Sequence, residues 1–161
     1  MVGEQSGIEI GASAIRGTNN VAARARTTVL GGDFKAKLWR SARSYLVIQG
    51  EGLKLIREDA AWSPASGYGT TTERPAGGYV FTDYYPTPRL DGGVSFESFQ
   101  EPSRGRPIAR GVGAFAGWSV LEESLVFRFD WKRVDPAHGD GFNTFTFRVL
   151  YSMGPHKAHQ F

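Results

Sequence analysis

Three carboxylates stand inside stretches that alternate like strands: Asp83, Glu97 and Glu122. Asp83 shares parity with Tyr79, Phe81 and Tyr85, Glu97 with Ser95 and Phe99, and Glu122 with Trp118 and Val120. An acid on an apolar face resists ionisation, so its pKa rises and it can hold or deliver a proton near neutrality. These three are the candidate catalytic groups. If the parity is inverted, the same acids simply face solvent. Tyr85 is a further polar group for a pocket, and Trp118, Phe129, Trp131 and Phe147 are candidate ligand-binding walls.

Other chemistries find less footing. Gly111-Val112-Gly113-Ala114-Phe115-Ala116-Gly117 resembles a dinucleotide glycine motif, but its last spacing is wrong and a strand follows where a helix N-terminus is needed. Glycines for tight backbone bends are the plainer reading. His138 falls in a turn, and His156 and His159 in a tail after Gly154-Pro155, so no metal site or Ser-His-Asp triad is expected. No cofactor is expected either. Arg16, Arg24, Arg26, Lys35, Lys37, Arg40 and Arg43 make the N-terminal third basic. That suits a solvated helix face or contact with a polyanion such as nucleic acid.

The elements that must position these residues are mostly strands. Leu125, Phe127, Phe129 and Trp131 alternate with Val126, Arg128, Asp130 and Lys132. After a break at residues 135–141, Phe145, Phe147, Val149 and Tyr151 alternate again. A hairpin centred on His138 pairs Trp131 with Phe145 and Phe127 with Val149, putting every large apolar residue on one face. It also sets Arg128 opposite Arg148, which needs an acid such as Asp130 to intervene. Residues 44–49 and 53–58 read as a second hairpin turning at Gly50-Glu51. Residues 78–85, 94–100 and 117–122 read as strands, and 60–78 as a long functional loop or a disordered insertion. Phe34, Leu38, Ala42 and Tyr45 recur at helical spacing behind a capping Asp33, predicting one short helix over 34–43. Residues 21–30 suit a helix capped by Asn20, and residues 26–30 equally suit a strand.

The totals agree with an all-β chain. The chain has 161 residues, 21 of them glycine, and 13% aromatics, which suits a single domain of aromatic strands and glycine-rich turns. A flexible arm over about 1–20 and a frayed tail over about 154–161 flank it. No cysteine is present, which excludes disulfides and fits a reducing compartment. With no leader-like segment and no apolar run of helix-spanning length, a soluble cytoplasmic protein without a membrane span is expected. The fold class expected is mainly β, a single antiparallel β-barrel, with a β-sandwich or jelly roll as the alternative.

The segment Arg110–Gly117, the strands after it, Asp135, Gly139-Asp140 and the final strand resemble the end of dirigent and allene-oxide-cyclase-like proteins. The likeness covers about residues 92–151. It implies a calycin-like eight-stranded barrel that binds an apolar small molecule and steers its cyclisation or isomerisation without a cofactor. A homo-oligomer is expected. The second function expected is a structural subunit of a viral or phage particle, shell or tail, with its basic N-terminal side facing nucleic acid. Its localisation is then the virion.

Overall fold

The computed structural model describes residues 6–101, 107–121 and 125–152. Among them, nine antiparallel strands form one sheet and there is no helix. The strands are β1 (Gly7–Asn20), β2 (Ala25–Ser41), β3 (Ser44–Ser63), β4 (Gly67–Glu73), β5 (Ala76–Thr87), β6 (Leu90–Gln100), β7 (Ile108–Leu121), β8 (Leu125–Asp135) and β9 (Phe142–Tyr151). Eight lie side by side in the order β1-β2-β3-β5-β6-β7-β8-β9, each bonded to the next in the chain. β4 extends the sheet locally by pairing with the far half of β3. The sheet is open, with β1 and β9 at its edges, so a closed barrel is not seen.

Connections differ between the two ends of the sheet. At one end β2 turns into β3 through residues 42–43 and β5 into β6 through 88–89, while 122–124 separate β7 from β8. At the other end lie residues 21–24, the projecting β3–β4 hairpin, residues 101–107 and residues 136–141. Gly67 and Gly139 serve this second end with positive φ of 73° and 91°, which glycine adopts without a Cβ penalty.

Several expectations need correction. The helix over 34–43 is part of β2. Phe34 and Leu38 satisfy a 3.6 period, but Phe34, Ala36 and Leu38 also satisfy a period of two, with Lys35 and Lys37 between them. Neighbours β1 and β3 on both sides decide in favour of the strand. The turn expected at Gly50-Glu51 does not exist, because β3 runs straight through it. Gly50 is there for room: a Cβ would lie 2.7 Å from the Phe34 ring and 2.9 Å from the Tyr79 carbonyl. The long loop over 60–78 is the β3–β4 hairpin and the start of β5. Residues 7–20, expected within an arm, are β1 and pair with β2 over their length. The expected tail at 154–161 lies outside the described residues. The last hairpin has the expected register, with Trp131 opposite Phe145 and Phe127 opposite Val149.

The sheet has almost no core. Among the described residues, the buried hydrophobic ones are Ala25 and Ala109, and no large side chain is fully buried. The accessible surface is 11716 Å², against about 7,900 Å² expected for a folded monomer of this mass. No second layer of a sandwich is seen among the described residues.

Glycines 93 and 52 give a direct test of these close approaches. A Cβ at Gly93 would run into the Thr82 carbonyl and the Phe115 ring, whereas one at Gly52 meets nothing within 4 Å. Gly93→Ala is expected to destabilise by about 1–3 kcal/mol, and Gly52→Ala to stay within about 1 kcal/mol of wild type. Denaturant unfolding of the two variants checks both.

Candidate functional site

Hydrogen-bond register assigns every strand residue to one of two faces. The inner face carries Lys35 and Lys37 on β2, Glu51 on β3, Asp83 and Tyr85 on β5, Asp91 and Glu97 on β6, and Arg128 and Lys132 on β8. The outer face carries Ile8 and Ile10 on β1, Phe34 on β2, Val94 and Phe96 on β6, and Trp118 on β7. Inner side chains crowd each other: along β7, Gly111, Gly113 and Gly117 are buried, while Val112, Ala116 and Trp118 are exposed.

Those three glycines explain how the inner face is wired. Gly117 pairs with Asp91 on one side and Arg128 on the other, and Gly113 pairs with Ser95 and Lys132. With no side chain on the intervening strand, groups on β6 and β8 meet across it. Alternate strands lie about 9.6 Å apart, a gap that two long side chains bridge. Lys132 Nζ reaches Glu97 Oε1 at 2.7 Å, and Arg128 Nη2 lies 3.7 Å from Asp91 Oδ2.

Arg128 is the hub. It also lies 3.7 Å from Asp83 Oδ2 and, through Nε, 3.7 Å from Asp130 Oδ1. Its guanidinium sits 3.9 Å from the centre of the Phe115 ring, a cation–π contact. Asp130 in turn accepts two hydrogen bonds from Arg148, at 2.6 and 3.0 Å. Arg128 and Arg148 stand directly opposite each other, and Asp130 is the acid that makes this tolerable. Asp83 Oδ1, Asp91 Oδ2 and Arg128 Nε are buried without a direct hydrogen-bond partner among the described residues. That is the pattern of polar groups laid out for water.

Asp83 is 6% exposed. Burial pushes its pKa up, the nearby Asp91 adds to the rise, and Arg128 and Tyr85 oppose it. Burial, with Asp83 beside it, drives the Tyr85 hydroxyl well above the usual phenol range. The Tyr85 ring stacks on Tyr45 with centroids 4.3 Å apart.

The structure divides the residues nominated from sequence. Asp83 and Tyr85 are neighbours on the inner face, and Glu97 is farther along it, paired with Lys132. Trp118, Phe129, Trp131 and Phe147 all lie on the outer face. There Phe147 stacks with Phe127 at 6.1 Å, and Trp131 Nε1 donates to Asn143 Oδ1 at 3.2 Å. Glu122 lies outside the described residues. The basic N-terminal residues also divide: Lys35 and Lys37 are inner, Arg16 and Arg26 outer, and Arg24 and Arg43 sit in turns. Asp91, Arg128, Asp130 and Arg148 were not nominated. Their signal was the shared parity of Gly111, Gly113 and Gly117, which marks one bare face of a strand.

An inner-face hollow of about 450 Å³ opens near the long-loop end, with Val29, Leu53, Leu55, Tyr79 and Phe99 around it and Glu51 at its border. Among the described residues, no group of three or more His, Asp or Glu is placed to hold a metal ion. Comparison with family models, curated proteins and solved structures finds no match. The likeness of residues 92–151 to dirigent-type barrels therefore gains no support from them.

Two predictions follow from the network. Asp130→Ala leaves two arginines facing each other and is expected to cost about 1 kcal/mol by chemical unfolding. Asp83 binds its proton more tightly folded than unfolded, so its contribution is greatest below pH 3.8 and is lost as pH rises through its raised folded pKa. Unfolding measured between pH 3 and 7 is expected to show that loss in wild type and a flatter profile in Asp83→Asn.

Proposed function

We propose that this sheet is the wall of a transmembrane β-barrel, with the outer face against lipid and the charged inner face lining an aqueous lumen. The observation that carries this reading is the partition of charge between the faces. On the outer face, residues 8–14, 30–38 and 46–52 contribute no charged side chain, nor do 76–84, 90–96, 112–118, 127–131 and 145–151. The inner face carries charge on seven of the eight pathway strands, all but β7, whose inner positions are mostly glycine. Alternating apolar-out and polar-in residues, short turns at one end and longer loops at the other are the pattern of such barrels.

The dimensions agree. From Leu30 to Leu38 is eight residue steps, about 27 Å along the strand. At a strand tilt of ~40° that is about 21 Å in height, close to the ~25 Å apolar band of these barrels. Tyr84, Trp118 and Tyr151 lie toward its short-turn edge, as interfacial aromatics do. Among the described residues, no helix is long and apolar enough to cross a membrane. That criterion, on which the sequence expectation of no span rested, does not reach strands.

A second reading is favoured by the inner hollow. Its apolar lining and its volume of about 450 Å³ suit a small apolar molecule. A cyclase or isomerase pocket built from Asp83, Tyr85 and the four outer aromatics has less support, because the acids and the aromatics occupy opposite faces.

Adjacent residues on β9 distinguish lipid from water. Phe147 is 64% exposed on the outer face, and Thr146 is inner, opposite Asp130. In bilayers, Phe147→Arg is expected to destabilise by about 2–4 kcal/mol, and Thr146→Arg by no more than about 1 kcal/mol. An effect of Phe147→Arg within about 0.5 kcal/mol, as for a watery surface site, contradicts the lipid-facing assignment.

A further inference from the structure

The outer face ends at the long-loop side in a line of cations. On β1, β2, β3, β7 and β8 the first charged outer residue met on leaving the apolar band toward the loops is Arg16, Arg26, Lys54, Arg110 and Arg133 respectively. All five are exposed. Arg133 has an ion pair with Asp135 at 3.1 Å. Arg16, Lys54 and Arg110 have none among the described residues. Farther toward the loops on the same face stand the acids Asp135, one outer position beyond Arg133, and Glu58, two beyond Lys54.

The line is oblique to the sheet in an informative way. One hydrogen-bonded row connects Ile10, Phe34, Gly50, Val80, Phe96, Val112 and Arg133. Arg16 lies six residues on the loop side of that row, Lys54 four and Arg110 two, while Arg133 is in the row itself. The apolar band descends with it, from residues 8–14 on β1 to 127–131 on β8. A fall of six residues at ~3.4 Å over six strand spacings of ~4.8 Å gives a tilt of about 35°, which is the tilt of strands in a membrane barrel. Arg16, Lys54, Arg110 and Arg133 therefore share one level, parallel to the plane that the apolar band defines, and Arg26, eight residues on the loop side of the row, stands beyond it.

We propose that this cationic line is a binding surface for anionic, phosphate-bearing lipid headgroups in the leaflet on the long-loop side. The inference rests on the barrel-wall reading. Charge and level both select the ligand. Arginine and lysine at the edge of an apolar band keep their stems in the acyl region and their charges among headgroups. Guanidinium groups pair with phosphate through forked hydrogen bonds. A zwitterionic headgroup offers phosphate but adds a cation that the line repels.

The test uses the full chain in phosphatidylcholine bilayers, with spin-labelled phosphatidic acid competing against spin-labelled phosphatidylcholine. Wild type is expected to favour phosphatidic acid by about fivefold, the worth of one well-placed cation. Arg16→Gln with Arg110→Gln is expected to bring the ratio near one, and Arg16→Lys with Arg110→Lys to keep it. Lys35→Gln with Lys37→Gln removes equal charge from the inner face and is expected to leave the ratio unchanged. Inorganic phosphate, added at constant ionic strength in place of chloride, is expected not to reduce the lipid preference; a loss there shows a site for free phosphate and overturns the proposal. Insertion with equal ratios in wild type and the Arg16/Arg110 glutamine variant overturns the headgroup site alone. Failure of wild type to enter the bilayer overturns the barrel wall as well.

Discussion

A sheet one layer thick leaves two faces, and something must cover whichever is apolar. Here backbone hydrogen bonding holds eight strands side by side, but no other part of the described chain packs on either face. Every apolar side chain therefore depends on a surrounding that the described chain does not supply. At roughly 25 cal/mol per Å² of apolar surface, leaving such a face in water is a large loss. Lipid covers it without a second layer of protein, and the continuous ladder satisfies the backbone groups that lipid cannot.

The inner face answers the opposite demand. Asp83, Asp91, Arg128, Asp130 and Arg148 are too numerous to be buried dry, since each charge removed from water costs several kcal/mol unless paired. The arrangement meets this in two ways. Bare glycines on β7 let acids of β6 reach cations of β8, and the carboxylates of Asp83 and Asp91 are held within 3.7 Å of the Arg128 guanidinium. The same glycines that make the sheet thin at its centre thus make the charge network possible. A wall whose charge network runs from β5 to β9 is braced across its hydrogen bonds as well as along them.

Strand identity was legible wherever aromatics alternated with polar residues, as in β8 and β9, because a period of two has only one explanation over eight residues. It was illegible in β2, where Leu38 suits two periods, and β3 was read as strand but broken in two at Gly50, which looks like a turn. Only the strands on either side show that Gly50 makes room for Phe34. Parity put Asp83 with Tyr85, and Glu97 with Phe99, but only the register between β5 and β6 shows that the two sets share one face. The aromatics of β7–β9 were taken for the lining of a pocket, although their parity belongs to the other side. Arg128 and Arg148 looked like a fault in the last hairpin, and they are half of its charge network.

The two-faced assignment is tested most directly on β8 in a bilayer. The chain has no cysteine, so single cysteines carrying a nitroxide report one position at a time. Accessibility to oxygen, which dissolves in lipid, is compared with that to a water-soluble nickel chelate. A lipid-facing wall predicts oxygen-dominated contact at Phe127, Phe129 and Trp131 and chelate-dominated contact at Arg128, Asp130 and Lys132, alternating at every residue. Equal chelate access at both parities, or odd positions closed to both reagents, would mean that water or protein covers the outer face, and the membrane wall would be refuted.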